Sequence, residues 1–179
     1  MDQILDAIVA FVSAHRAWAG YLAFVFALCE TIAFISILIP STAILIGVGA
    51  LVATGGLDFT PIWVGGALGA LAGSNLSYWL GWRYGGRLLA LPPLNRYPEF
   101  VDSGTAAFAR WGAVTVLIGH FFGPLRSVVF LMSGMARMPL WQFQAFNLLG
   151  AVAWAWAIPK SGELGGSALG HIWSLVFGG

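Results

Sequence analysis

Formal charge is what this chain has least of. Asp, Glu, Lys and Arg make up 8% of its 179 residues, where a soluble domain carries about 25%. That deficit excludes an ordinary water-facing surface, and 59% hydrophobic residues point instead to an integral membrane protein. Net charge is +1, so the basic excess that nucleic acid demands is missing. The single cysteine, Cys29, excludes an intrachain disulfide. There is no H-E-x-x-H and no Cys/His cluster, so no metal or other cofactor is expected. The opening Met1-Asp2-Gln3-Ile4-Leu5-Asp6 is acidic and lacks the basic start of a signal peptide. Low-complexity tracts, heptads and a second soluble domain are also absent, so residues 1–179 read as one membrane domain.

What is present is apolar chain interrupted at a few places. Residues 3–16 read as a short amphipathic helix that lies at the interface or begins the first span, followed by Trp18 and Tyr21 as interfacial aromatics. Residues 31–57 carry no formal charge, but Glu30 opens them and Pro40 splits them. Two half-length helices with a tip at Pro40-Ser41-Thr42 fit a re-entrant hairpin; one proline-kinked span is the alternative. Residues 59–82 read as an ordinary span, with small residues Gly65, Gly66, Gly69, Ala70 and Gly73 for close packing. Ser74, Asn75 and Ser77 add polar atoms suited to interhelical hydrogen bonds. The connection 83–110 holds Arg83, Arg87, Arg96 and Arg110, half of the eight basic residues, which assigns it to the cytoplasm. Residues 138–158 read as a second span and 164–179 as a last helix. Lys160 and Glu163 are spaced to pair on one helix face.

The most informative stretch is Gly119-His120-Phe121-Phe122-Gly123-Pro124-Leu125-Arg126. It lies in apolar chain: residues 111–125 and 127–136 hold no Asp, Glu, Lys or Arg. An ionisable side chain in a bilayer costs roughly 2.5–3.5 kcal/mol at a helix centre on insertion scales. Gly123-Pro124 predicts a break in the helix there, and broken backbone at membrane depth survives only inside protein or beside a wet cavity.

The two halves also match. Pro40 precedes Gly49 by nine residues and Pro124 precedes Gly134 by ten. Leu68-Gly69-Ala70 stands against Leu149-Gly150-Ala151, and Gly81 and Gly162 follow those glycines by twelve. Each half, about 20–86 and 108–166, is then a hairpin, a span and a glycine-rich exit. The connection between them reverses the second unit. The expected fold is all-α, an inverted-topology repeat of re-entrant helical hairpin plus transmembrane helix, with its site near the midplane.

These residues resemble the DedA family, also called the SNARE-associated or VTT-domain family. Glu30, Pro40-Ser41-Thr42, Gly49-Ala50-Leu51 and Gly55 look like its first half. Arg110-Trp111-Gly112, Gly119-His120-Phe121, Gly123-Pro124-x-Arg126, Gly134-Met135, Phe143, Asn147, Gly150-Ala151 and Trp154 look like its second. The resemblance implies a bacterial inner-membrane lipid translocase, a flippase or scramblase of undecaprenyl phosphate or a phospholipid, linked to proton-motive force. Glu30 matches the family's first acid and Arg126 its second arginine. The chain departs from the pattern at Thr42, where an acid is usual, and at His120, where an arginine is usual; a Thr42–His120 hydrogen bond would replace that ion pair.

The expected partners are therefore lipids with phosphate headgroups, and protons. Arginine stays charged and binds phosphate through a planar fork, which suits Arg126. Glu30, His120, Thr42, Arg110, Asn147 and Asn75 complete the candidate substrate-contacting set. Glu30 and His120 are the candidate proton carriers, histidine because it ordinarily titrates near neutrality. Such a protein makes and breaks no bonds, so it is not read as an enzyme. Two alternatives stand beside translocation: a non-transporting assembly or homeostasis factor, and an intramembrane lipid-modifying enzyme using His120 with Ser127.

Overall fold

The computed structural model describes residues 16–32, 52, 58–90, 94–96 and 98–177. Among them every regular element is helical. Helix α1 is Arg16–Thr31 and α2 is Phe59–Tyr84. Two 3-10 turns, Gly85–Ala90 and Leu94–Arg96, lead to α3, Pro98–Trp111. Then come α4, Val114–Gly119, α5, Gly123–Met135, and α6, Leu140–Phe177. Thr42, the Pro40 tip and residues 3–15 lie outside the described residues, so the first hairpin and the amphipathic start go undescribed.

Helix α2 is the hub, packing on α1, α5 and α6, while α4 packs on α5 and α6 and α3 on α5. Small residues make those contacts close. A methyl group built on Gly65, Gly69 or Gly73 would run into the α1 backbone at Gly20, Phe24 or Leu28. One built on Gly81 would strike the Leu131 carbonyl, and one on Gly134 the Tyr78 carbonyl. Backbone therefore meets backbone where α2 crosses α5, the close approach that small residues permit between apolar helices. Gly134→Ala is expected to cost about 3 kcal/mol, because backbone oxygens cannot rotate away as a side chain can. Unfolding in detergent reads this as a lowered midpoint; an unchanged midpoint would mean that the helices stand further apart.

Helix α3 carries Glu99 in its first turn and Arg110 in its last, each at the end its charge favours. Gly112, at φ +56°, closes it, donating its N–H to the Phe108 carbonyl at 2.8 Å. The break that follows falls at His120–Phe122, not at Gly123-Pro124. Pro124 opens α5 instead. The N–H that proline lacks would have had no partner in a first helical turn, so proline is favoured there. The expected separate helix over 164–179 is also corrected: α6 runs unbroken from Leu140 to Phe177 through Pro159. The Lys160–Glu163 pair forms as expected, at 2.8 Å.

Among the described residues, no helix is long and apolar enough to cross a membrane. The expected span at α2 is long enough at 26 residues, but glycines, Ser74, Asn75 and Ser77 dilute its apolar content. The distribution of side chains is more telling than the average. Outward positions of α2 are Val64, Leu68, Leu76 and Trp79, and those of α6 are Leu148, Leu149 and Trp156. Inward lie Ser74, Ser77, Thr115, His120, Arg126 and Asn147, all buried. Large apolar residues thus stand outward on α2 and α6, while these polar groups are buried in an interior that also holds Ile62, Val116, Phe130 and Phe143.

Candidate functional site: a buried ion pair and an amide chain

Two polar constellations occupy the interior. The first joins four helices. Glu30 sits in the last turn of α1, and Ser77 of α2 donates to the neighbouring Thr31 carbonyl at 2.8 Å, satisfying one of the carbonyls that a helix end leaves open. Arg126 is the fourth residue of α5. Its Nη2 lies 2.8 Å from Glu30 Oε2, and the two side chains are 0% and 4% exposed. The guanidinium carbon stands 4.4 Å from the centroid of the Trp154 ring of α6, and Trp154 is itself buried. A cation over a desolvated indole gains about 2 kcal/mol or more.

Arg126 is only partly satisfied. Its Nε and Nη1 are buried with no hydrogen-bond partner among the described residues. A buried donor left unmade costs roughly 1–3 kcal/mol, more when charged. The first turn of α5 adds the partial positive charge of a helix N-terminus beside the guanidinium. Two fixed sources of positive potential thus converge behind the break at His120–Phe122, in a setting where Glu30 already supplies one anion.

The second constellation is a chain of amides. His120 Nε2 lies 3.0 Å from Asn147 Oδ1. Asn147 Nδ2 donates to Gln144 Oε1 at 3.5 Å, Gln144 Nε2 donates to Asn75 Oδ1, and Asn75 Nδ2 donates to the Leu71 carbonyl at 2.7 Å. The imidazole lies against Gly150, where a methyl group would collide with it, and 4.8 Å from the Phe130 ring. Its Nδ1 is buried without a partner among the described residues.

The expected site residues divide accordingly. Glu30 meets Arg126, and His120, Asn147 and Asn75 are linked together. Arg110 is not brought to either group: it is exposed, with its guanidinium 6.0 Å from the Trp111 ring. There it borders an apolar cavity of about 310 Å³ shared with Ile118, Gly119 and Phe122. Thr42 lies outside the described residues, and His120 Nε2 is engaged by Asn147. Sequence reasoning missed Gln144 as the link; its spacing of three from Asn147 on one helix was the available signal. It also took Trp154 only as a resemblance, not as the floor under Arg126. Among the described residues no group of three or more His, Cys, Asp or Glu could hold a metal.

Among the described residues the protein is all-helical, with a carboxylate–guanidinium pair buried among α1, α5 and α6. The chain belongs to the VTT-domain, or DedA, family: the VTT domain matches residues 39–163. It is 32% identical over 143 residues to the inner membrane protein YabI of Escherichia coli, covering 80% of this chain and 56% of that protein. An uncharacterized membrane protein of Buchnera aphidicola from Schizaphis graminum is 30% identical over 125 residues, covering 70% of this chain and 50% of that protein. One from Synechocystis is 33% identical over 120 residues, covering 65% and 55%. The chain thus spans about half the length of the curated relatives it matches. No solved structure matches it.

Proposed function

We propose that this protein is a lipid translocase of the bacterial cytoplasmic membrane, passing a phosphate headgroup through its interior without chemical change. The observation that carries the reading is Arg126: a fully buried guanidinium whose Nε and Nη1 have no partner among the described residues, set in the first turn of α5. A phosphate supplies the acceptor oxygens that those donors lack, in the planar fork geometry that arginine favours. The helix N-terminus adds to the attraction for an anion. In this reading α4 and α5 are the arms of a re-entrant hairpin with its tip at His120–Phe122. The opposed hairpin expected over 31–57 lies almost wholly outside the described residues; in this reading loop 83–110 faces the cytoplasm. Undecaprenyl phosphate and phospholipids are the candidate cargoes, with Glu30 and His120 as proton carriers if transport is coupled.

The test is headgroup accessibility in liposomes holding purified protein, with undecaprenyl phosphate compared against phosphatidylethanolamine. Arg126→Lys is expected to slow translocation by about tenfold or more, the value of one lost charge-assisted hydrogen bond. Arg126→Ala should fall to the protein-free background. Wild-type rates in Arg126→Ala would remove Arg126 from the mechanism and the phosphate reading with it.

A further inference from the structure

The amide chain has a direction, and the direction sets the state of His120. The Leu71 carbonyl can only accept, so the end of the Asn75 amide that faces it, at 2.7 Å, is nitrogen. Asn75 therefore turns oxygen toward Gln144, which must answer with its own nitrogen. Gln144 is left with oxygen toward Asn147, which answers with nitrogen at 3.5 Å. Asn147 then has only oxygen for His120, and an oxygen 3.0 Å from Nε2 requires a hydrogen on that nitrogen. Each amide is oriented by the one before it, and the first by a backbone carbonyl.

We infer that Asn75, Gln144 and Asn147 form a positioning device that holds His120 as the Nε2–H tautomer, leaving a lone pair on the buried Nδ1. In a neutral imidazole one nitrogen donates and the other accepts, and the partner of one decides the role of the other. Nδ1 is buried and has no partner among the described residues, so the device keeps an acceptor ready for one donor hydrogen. Its chemistry is that of a proton or a ligand hydroxyl, not of a bare anion, which brings no hydrogen to the lone pair. The Nδ1–H tautomer would instead bury a donor with no acceptor among the described residues and set two lone pairs, on Nε2 and Asn147 Oδ1, against each other. The inference stands apart from the lipid reading, because the tautomer is a property of the ligand-free protein.

Nitrogen-15 spectra of histidine-labelled protein in detergent read it directly. The chain holds three histidines, His15, His120 and His171, and the signals missing from His120→Gln assign the one in question. Wild type is expected to give one His120 species, protonated at Nε2 and bare at Nδ1. Gln144→Leu and Asn75→Leu each cut the chain and free Asn147 to turn over, so both should give a mixture of tautomers; reading both covers the failure of either to fold. Gln144→Glu can still accept from Asn147 and should keep the single species. A wild-type protein protonated at Nδ1 overturns the tautomer. A single Nε2–H species persisting in the leucine variants, or lost in Gln144→Glu, overturns the amide chain as its cause.

Discussion

Replacing Glu30 by leucine is expected to cost the fold about 3–5 kcal/mol, because Arg126 would remain as a buried cation without its counter-charge. Against a typical total of about 5–15 kcal/mol for a domain, that is a large share. The argument rests on burial: the two side chains are 4% and 0% exposed, with their charged atoms 2.8 Å apart. Removing both charges is another matter. In Glu30→Leu/Arg126→Met the buried ion pair becomes apolar surface of similar size, a change that is often neutral or better. The double variant should therefore regain most of what the single variant lost. Denaturant titration in detergent, run on the two singles and the double, gives the coupling directly. Additive losses would mean that the pair does not interact. On the proposed translocase reading the liposome prediction reverses, since the double variant folds but has no cation for a phosphate. Stability restored with translocation absent would separate the structural duty of the pair from its functional one.

Trp154→Ala carries the second large expectation, a loss of about 3–5 kcal/mol for a buried large-to-small change. The indole is 1% exposed and packs into the cluster formed by Ala23, Ala27, Ile62, Ala67, Ala70, Ala151 and Ala155. Those neighbours are mostly small, so few side chains can swing in to fill the space. The substitution also removes the ring beneath Arg126. Trp154→Phe keeps a ring, though a weaker one for a cation, and should lose distinctly less. Midpoints of unfolding for the two variants decide the matter; equal losses would mean that the ring under the guanidinium contributes nothing.

Some of this could be read from residue order alone and some could not. Glu30 and Arg126 stood out because charge in apolar chain is costly, and cost implies a partner. That they are each other's partner required α1 and α5 to be brought together across 96 positions of sequence. His120 and Asn147 were noticed one at a time. Their linkage through Gln144 was not, because a glutamine in the second turn of a helix looks like any polar residue near a helix end. The break was expected at Gly123-Pro124 on the rule that proline stops helices. The same residue starts them equally well, and only the backbone settles which duty it performs. Pro159 gives the converse: α6 passes through it without ending. The stretch 59–82 was legible as a helix from its lack of charge, but not which neighbours its glycines meet: Gly65, Gly69 and Gly73 face α1, Gly66 faces α6 and Gly81 faces α5.

The crossing of α2 with α5 bears on how the molecule can move. Where most helix pairs interpose side chains, here the Leu131 and Tyr78 carbonyls occupy the space that any Cβ on Gly81 or Gly134 would need. Side chains between helices act as gears, since a rotamer change lets one helix slip past another. Backbone in contact with backbone offers no such play. Helices α2 and α5 therefore form a rigid spine, with α1 joined to it by the same kind of contact at Gly65 and Gly69. The three residues His120, Phe121 and Phe122, outside any helix, join the short α4 to this spine at the first residue of α5, and His120 is anchored there by Asn147 and by its contact with Gly150 on α6.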